Sequence, residues 1–196
     1  GMATAKELRD AILAFQKSGK FVLAYNSGEY ISQKAYYISS VADEVYAFPK
    51  SVFEWKGLGG EVQFFKGLLD KLDVDIEIIR GSNNDFKSAV EPFYRKSMSD
   101  SSRIQTERYL SSMWSMYLSE IGKTTQINKD TLDAYAEDLR IRDASEAYGL
   151  GLIDGLKYRD EIEKILMKKT KVSTSADLLF FDFDTSTFVS ELSFLD

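Results

Sequence analysis

The chain has 196 residues, 44% hydrophobic and 13% aromatic, with a formal net charge of −6 and a pI of about 4.9. That composition suffices for one ordinary domain with a real core, and the acidic balance argues against a nucleic-acid partner, which calls for a basic face. The absence of cysteine and histidine excludes disulfides, cysteine nucleophiles and histidine-based triads, and it argues against a catalytic zinc site.

In chain order, residues 3–18 predict an amphipathic helix, with Leu8, Ala11, Ile12 and Phe15 at helical spacing and Gly19 beyond its end. FVLAY (21–25) predicts a short, continuously apolar strand of the buried type. SGEY is a turn or loop, and residues 32–42 predict a second helix. EVYAF (44–48) predicts another strand, stopped by Pro49. WKGLGG (55–60) is a loop made pliable by three glycines.

Residues 61–72, EVQFFKGLLDKL, predict a helix with Phe65, Leu68, Leu69 and Leu72 on one stripe. VDIEIIR (74–80) alternates as a strand should. Ser99 or Asp100 can cap a long helix running to Gly122, with Leu110, Met113, Trp114, Tyr117, Leu118 and Ile121 on its apolar face. Residues 130–138, 143–149 and 158–169 predict three shorter helices, and LIDGL (152–156) a tight connection. The tail, DLLFFDFDTSTFVSELSFLD, reads as strand-like and too apolar to float free. Strand and helix alternate through the first half and helices dominate the second, which is an α/β layered pattern. No run approaches the roughly 18 apolar residues of a membrane span, and no signal-peptide pattern opens the chain. Gly1 ahead of Met2 reads as the scar of a tag, so a native signal or anchor can lie outside this sequence.

With no histidine or cysteine, a base that activates a nucleophile has to be a carboxylate or a lysine. DFKSAVEPF (85–93) sets Lys87 where a strand ends and a helix can start. Taken alone, Lys87 reads as an ordinary solvated lysine, Ser88 as a cap, and Glu91 as an i,i+4 partner of Arg95. Arg80 and Arg103 read as structural or subunit-contact residues. The Met113, Trp114 and Tyr117 stripe reads as helix packing, within the domain or between subunits.

Four stretches together resemble the signal peptide peptidase A family of serine peptidases. They are SGKFVLAYNSGEYISQKAYYISSVADEVYAFP, EVQFFKGLLDKLDVDIEIIRGSNNDFKSAVEPF, KSMSDSSR through SSMWSMYLSEI, and AYGLGLIDGLKYRDEIEKIL. The resemblance covers roughly residues 5–167. It implies an α/β ClpP/crotonase-like layered domain of the β-β-α spiral type, truncated at its N-terminal strands, with a helical C-terminal half. Residues 1–170 would form this partial repeat, and 171–196 a strand-like arm or inter-repeat linker. The family's long form carries two such copies; the first supplies a lysine and the second the serine of a Ser-Lys dyad. This chain resembles the first copy, and Lys87 falls on the position of the general base.

The nucleophile position departs from the family pattern. Where serine-bearing copies read close to A-S-G-G-Y-[YW]-I, this chain has Ser32-Gln33-Lys34-Ala35-Tyr36-Tyr37-Ile38. Gln33 stands in the serine's place, Lys34 and Ala35 replace two glycines, and Ser32 is about 100° round the helix. Gly57, Gly59 and Gly60 fall where the family has its substrate or oxyanion loop, although a plain loop explains them as well.

The resemblance therefore implies the lysine-donating half of an endopeptidase that degrades cleaved signal peptides. The nucleophile would come from a second, serine-bearing repeat outside this chain. It further implies no cofactor, a homo-oligomer, and a full-length protein anchored in a membrane with its catalytic part extracytoplasmic. Two other readings stand beside it. One is a non-catalytic scaffold or peptide-binding member of the same fold. The other is an acyl-CoA-binding crotonase relative, which rests on fold alone and draws nothing from the lysine string.

Overall fold

The computed structural model describes residues 1–79 and 86–171. These residues divide into two compact units. The first is Gly1–Lys56 with the described residues from Ile121 onward, and the second is Gly57–Glu120.

The first unit opens with α1 (Met2–Gln16) and continues through β1 (Leu23–Asn26), β2 (Tyr30–Ile31), α2 (Gln33–Ser39), β3 (Glu44–Ala47) and β4 (Val52–Phe53). β1 and β3 pair in parallel, Leu23 opposite Glu44 and Asn26 opposite Ala47. β2 and β4 form a second parallel pair, Tyr30 opposite Val52 and Ile31 opposite Phe53.

α1 buries Ala5 and Arg9, while Ala11 and Phe15 face solvent. The apolar stripe expected from spacing is thus displaced by a buried arginine. Arg9 Nη1 donates to the Tyr37 carbonyl and to Ser40 Oγ, and the guanidinium lies 4.8 Å from the Tyr37 ring centroid. A buried guanidinium is tolerated because several acceptors and an aromatic face replace its water.

β1 is half-buried at every position, not sealed as its apolar run suggests. It pairs only with β3 among the described residues and so forms a sheet edge there. Two-residue strands such as β2 and β4 carry no alternation that sequence periodicity can detect.

The same unit closes with α6 (Lys129–Glu137), α7 (Ala144–Gly149), β5 (Gly155–Leu156) and α8 (Arg159–Thr170). β5 lies in the stretch expected to be only a connection, and it pairs in parallel with β3, Tyr46 opposite Gly155. Asp154 locks this join: its amide donates to the Val45 carbonyl at 2.8 Å and its carboxylate accepts from Val45 N at 2.7 Å. The core gathers around Tyr36, Phe53 and Trp55, each 1% exposed. Tyr36 meets Phe53 edge-on at 4.9 Å, and Trp55 Nε1 donates to the Leu132 carbonyl at 3.0 Å.

The second unit holds α3 (Lys66–Lys71), α4 (Glu91–Tyr94) and most of α5 (Asp100–Thr125). Two expectations fail here. Residues 61–65 are not helical, and residues 74–79 form no ladder. Alternation makes a strand only where a neighbour takes its hydrogen bonds, and among the described residues none does. Phe65, Leu68 and Leu72 are exposed instead of buried. α5 fulfils its expected face: Tyr117, Leu118 and Ile121 are buried, and Leu110, Met113 and Trp114 half-buried. Trp114 stacks on Tyr117 at 5.1 Å. The expected strand-like tail lies outside the described residues.

α5 runs three residues past Gly122, which sequence spacing suggested as its end. A Cβ there would sit 2.8 Å from the Ile127 carbonyl oxygen. Glycine to alanine in an open helix gains about 1 kcal/mol, but a backbone oxygen at that distance forces overpacking worth about 1–3 kcal/mol. Gly122→Ala is therefore expected to lower Tm, by up to about 8 °C. Gly67→Ala, in α3 with nothing within 4 Å, should leave Tm unchanged or raised. Parallel thermal unfolding of the two variants checks the sign.

Candidate active site

The chain leaves β2 at the buried Ile31, and Ser32 follows in extended backbone (φ −73°, ψ 153°). Ser32 Oγ accepts from Ala35 N at 3.1 Å, so its hydroxyl is spent as the N-cap of α2. Gln33 is the first helical residue and is 8% exposed. Its backbone N–H donates to Glu54 Oε2 at 3.2 Å, and its side-chain Oε1 accepts from Lys56 N at 2.7 Å. The register of β2 on β4 explains this meeting. Ile31 sits opposite Phe53, so the next residues on each strand, Ser32–Gln33 and Glu54, emerge side by side. No sequence periodicity links positions 33 and 54, and Glu54 was not singled out from sequence.

Glu54 is the local electrostatic centre. Burial pushes its carboxyl up. The Lys56 ammonium at 2.8 Å, the Gln33 N–H and the Tyr30 hydroxyl pull harder, and its pKa falls below the ordinary 4.5. Tyr30 is raised in turn, by burial and by its hydrogen bond to Glu54. The amide donor at the head of α2 is thus met by an internal carboxylate.

The chain passes from Lys56 into the glycine loop. Gly57 has φ +81° and needs glycine for that reason. Gly59 and Gly60 lie outside the left-handed region, are exposed, and have nothing within 4 Å of a would-be Cβ. Gln33 is therefore tied to the start of this loop, while Gly59 and Gly60 stand open. Among the described residues no group of three or more His, Cys, Asp or Glu could hold a metal ion.

Lys87 belongs to the second unit and is exposed, as are Phe86 and Phe93 beside it. The Ser88 carbonyl accepts from Glu91 N at 2.9 Å, which closes a turn directly after the lysine. α4 has no side-chain cap, so Ser88 acts there through its backbone. Phe93 stacks on Phe65 with centroids 6.0 Å apart, and Phe65 N donates to the Pro92 carbonyl at 2.7 Å. Glu91 does not follow the expected i,i+4 arrangement. It is buried and accepts from Ser99, while Arg95 Nε donates to the Ser97 carbonyl.

Residues 14–173 match the family model of Peptidase family S49. The chain belongs to peptidase family S49. It is 35% identical over 163 residues to "Protease 4" of Haemophilus influenzae, covering 80% of this chain and 26% of that protein. It is 32% identical over 166 residues to "Protease 4" of Salmonella typhi, with 81% and 26% covered. With "Serine protease SPPA, chloroplastic" of Arabidopsis thaliana it shares 26% identity over 185 residues, with 93% and 26% covered. The chain thus spans about a quarter of the length of these curated relatives, and its kinship is with SppA-type serine peptidases of family S49. The mixed α/β architecture with small parallel sheets agrees with the ClpP-like fold expected of an S49 member. No helix among the described residues is long and apolar enough to cross a membrane.

Two outcomes follow from the head of α2. Gln33→Ala removes the acceptor of the partly buried Lys56 N–H, a loss of about 1–3 kcal/mol, whereas Lys34→Ala, on an exposed side chain, should change stability by less than about 0.5 kcal/mol. Chemical denaturation of both variants checks this. Glu54, with its folded-state pKa depressed, contributes stability that is present above its ordinary pKa and lost as pH falls through the folded value. The Tm deficit of Glu54→Gln should therefore be largest near neutral pH and shrink on acidification below 4.5. A deficit that stays constant with pH would contradict the assignment.

Proposed function

We propose that this chain is the lysine-donating half of a Ser-Lys dyad endopeptidase of family S49, acting on cleaved signal peptides. The observation that carries the reading is the residue at the head of α2. Gln33 stands where serine-bearing copies have their nucleophile, and its amide serves as an acceptor for the Lys56 backbone. A glutamine cannot be acylated as a serine can, so the chain's contribution lies elsewhere. Lys87, in the segment that resembles the family's lysine string, is the residue assigned to the chemistry.

In this reading Lys87, in its neutral form, takes the proton of a serine borne by a second repeat. The serine oxygen attacks the peptide carbonyl, the C–N bond breaks, and the leaving amine takes a proton from the lysine. The same lysine then activates water to release the acyl group. Lysine is a poor base at its free pKa of about 10.4 and must lose solvent to work near neutrality. Lys87 is exposed here, and its neighbours Phe86, Ala89 and Phe93 are exposed apolar groups. A surface closing over them would supply that desolvation. In this reading residues 1–170 belong to a repeat of the spiral ClpP/crotonase type. Backbone amides of Gly57, Gly59 and Gly60 remain candidates for the peptide or oxyanion loop. The full-length protein is expected to be a membrane-anchored, extracytoplasmic homo-oligomer. The exposed Leu68, Ile79 and Phe86 of the second unit favour a covered apolar surface.

The alternative is a non-catalytic scaffold, and the ordered role of Gln33 favours it equally. Hydrolysis of an apolar signal-peptide-like substrate by the full-length protein, including its serine-bearing portion, separates the two. Lys87→Ala should lower kcat by about 10²–10⁴-fold with fold and oligomer intact, while Lys34→Ala stays active. Full activity in Lys87→Ala would remove the dyad assignment, and a wild type that never turns over would favour the scaffold.

A further inference from the structure

We infer that Glu91 is a positioning residue, which holds the Lys87 segment against the start of α5; this inference rests on the reading of Lys87 as the base. Among the described residues of the second unit Glu91 is the buried carboxylate, 3% exposed. Its Oε2 accepts from Ser99 N at 3.1 Å and its Oε1 from Ser99 Oγ. Ser99 is in turn the head of the long helix: its Oγ accepts from Ser102 N at 3.2 Å, and its carbonyl from Arg103 N at 2.9 Å. On the other side, the Glu91 amide donates to the Ser88 carbonyl, one residue after Lys87.

The contacts therefore form a continuous path. The turn after Lys87 closes on the Glu91 backbone, the Glu91 side chain closes on Ser99, and Ser99 caps twenty-six residues of helix. Charge makes the link firm. A carboxylate accepting two hydrogen bonds at a helix N-terminus has charge-assisted bonds and a favourable dipole. α4 has only four residues and no side-chain cap, too short to hold its own conformation. Beside the Phe65 contacts of Pro92 and Phe93, the Glu91 tie joins α4 to the start of α5, and with it the turn that presents Lys87. General-base chemistry is sensitive to such placement, since an error of about 1 Å can cost about 10²-fold. Spacing alone suggested Arg95 as the partner of Glu91, which would have made the residue a surface charge of small value.

The test uses the full-length, serine-bearing protein. Glu91→Ala should lower kcat by about 10–100-fold and leave KM within about twofold. Glu91→Gln keeps one acceptor oxygen for Ser99 and should recover much of the loss. Glu91 acts through Lys87, so adding Glu91→Ala to Lys87→Ala should reduce the residual rate no further. A purely structural role would lower both backgrounds alike and overturn the inference. So would a Glu91→Ala variant with wild-type kcat while Lys87→Ala is inactive, which leaves the dyad reading standing. If instead Lys87→Ala retains full activity, the dyad reading itself fails. Should Glu91→Ala not fold, Ser99→Ala removes one donor from the other side. It should lower kcat at constant KM and speed amide hydrogen exchange across residues 88–95; unchanged exchange and rate there would overturn the proposal.

Discussion

The parallel pairing of β1 with β3 constrains everything at the head of α2. Two parallel neighbours cannot be joined by a hairpin, so the chain between Asn26 and Glu44 must cross back along the sheet. α2 is that crossover. A helix entered from the carboxyl end of a strand begins where α/β proteins commonly place their chemistry. The short β2–β4 pair then brings Glu54 and Lys56 to the same point. The cluster at Gln33 is thus a consequence of topology, since residues 33, 54 and 56 share no local periodicity.

What keeps the crossover in place is the next turn of the helix. Tyr36 and Tyr37 are buried. The Tyr36 hydroxyl donates to the Leu152 carbonyl at 2.6 Å, and burial pushes its pKa up, so the phenol stays neutral and usable as a donor. Arg9 reaches the end of the same helix through the Tyr37 carbonyl and Ser40. Rotation of α2 would break an aromatic contact, a buried hydroxyl bond and a guanidinium site together. The second unit differs. Among its described residues only Tyr117 and Leu118 are buried hydrophobics, and its short helices depend on ties such as Glu91–Ser99. Local opening is expected to be easier in a region with few buried apolar contacts.

Legibility in the sequence followed the length of each pattern. α5 was readable because six apolar side chains repeat over three turns, and α1, α6, α7 and α8 were readable within a few residues. β2, β4 and β5 have two residues each, too few for alternation. Residues 61–65 and 74–79 carry the right periods without, among the described residues, the partners that turn a period into structure. Arg9 was hidden because its acceptors are 28 and 31 residues away. At the candidate site, Gln33 and Lys87 were found from family strings. Glu54 and Glu91 were not, because each acts through a contact fixed by tertiary geometry: a strand register for Glu54, and an eight-residue reach to Ser99 for Glu91.

The residue at position 33 differs from a serine first in reach. A serine hydroxyl hangs one bond from Cβ, while a glutamine carbonyl oxygen lies two carbons further out. Only the longer side chain can span to Lys56 N and accept from it. The glutamine is therefore a strut that fixes the Lys56 backbone at the entry to the glycine loop, and Glu54 takes the hydrogen bond of the Gln33 N–H. A head of α2 closed in this way fits a copy whose chemistry is exported to another surface. Under the proposed dyad Lys87 is the group presented to that surface, and an exposed lysine is a weak base until apolar neighbours and a second surface remove its water. On that proposal, activity is a property of the assembly, and what the chain contributes is the placement of one lysine amine, which has to be neutral when it takes the serine proton.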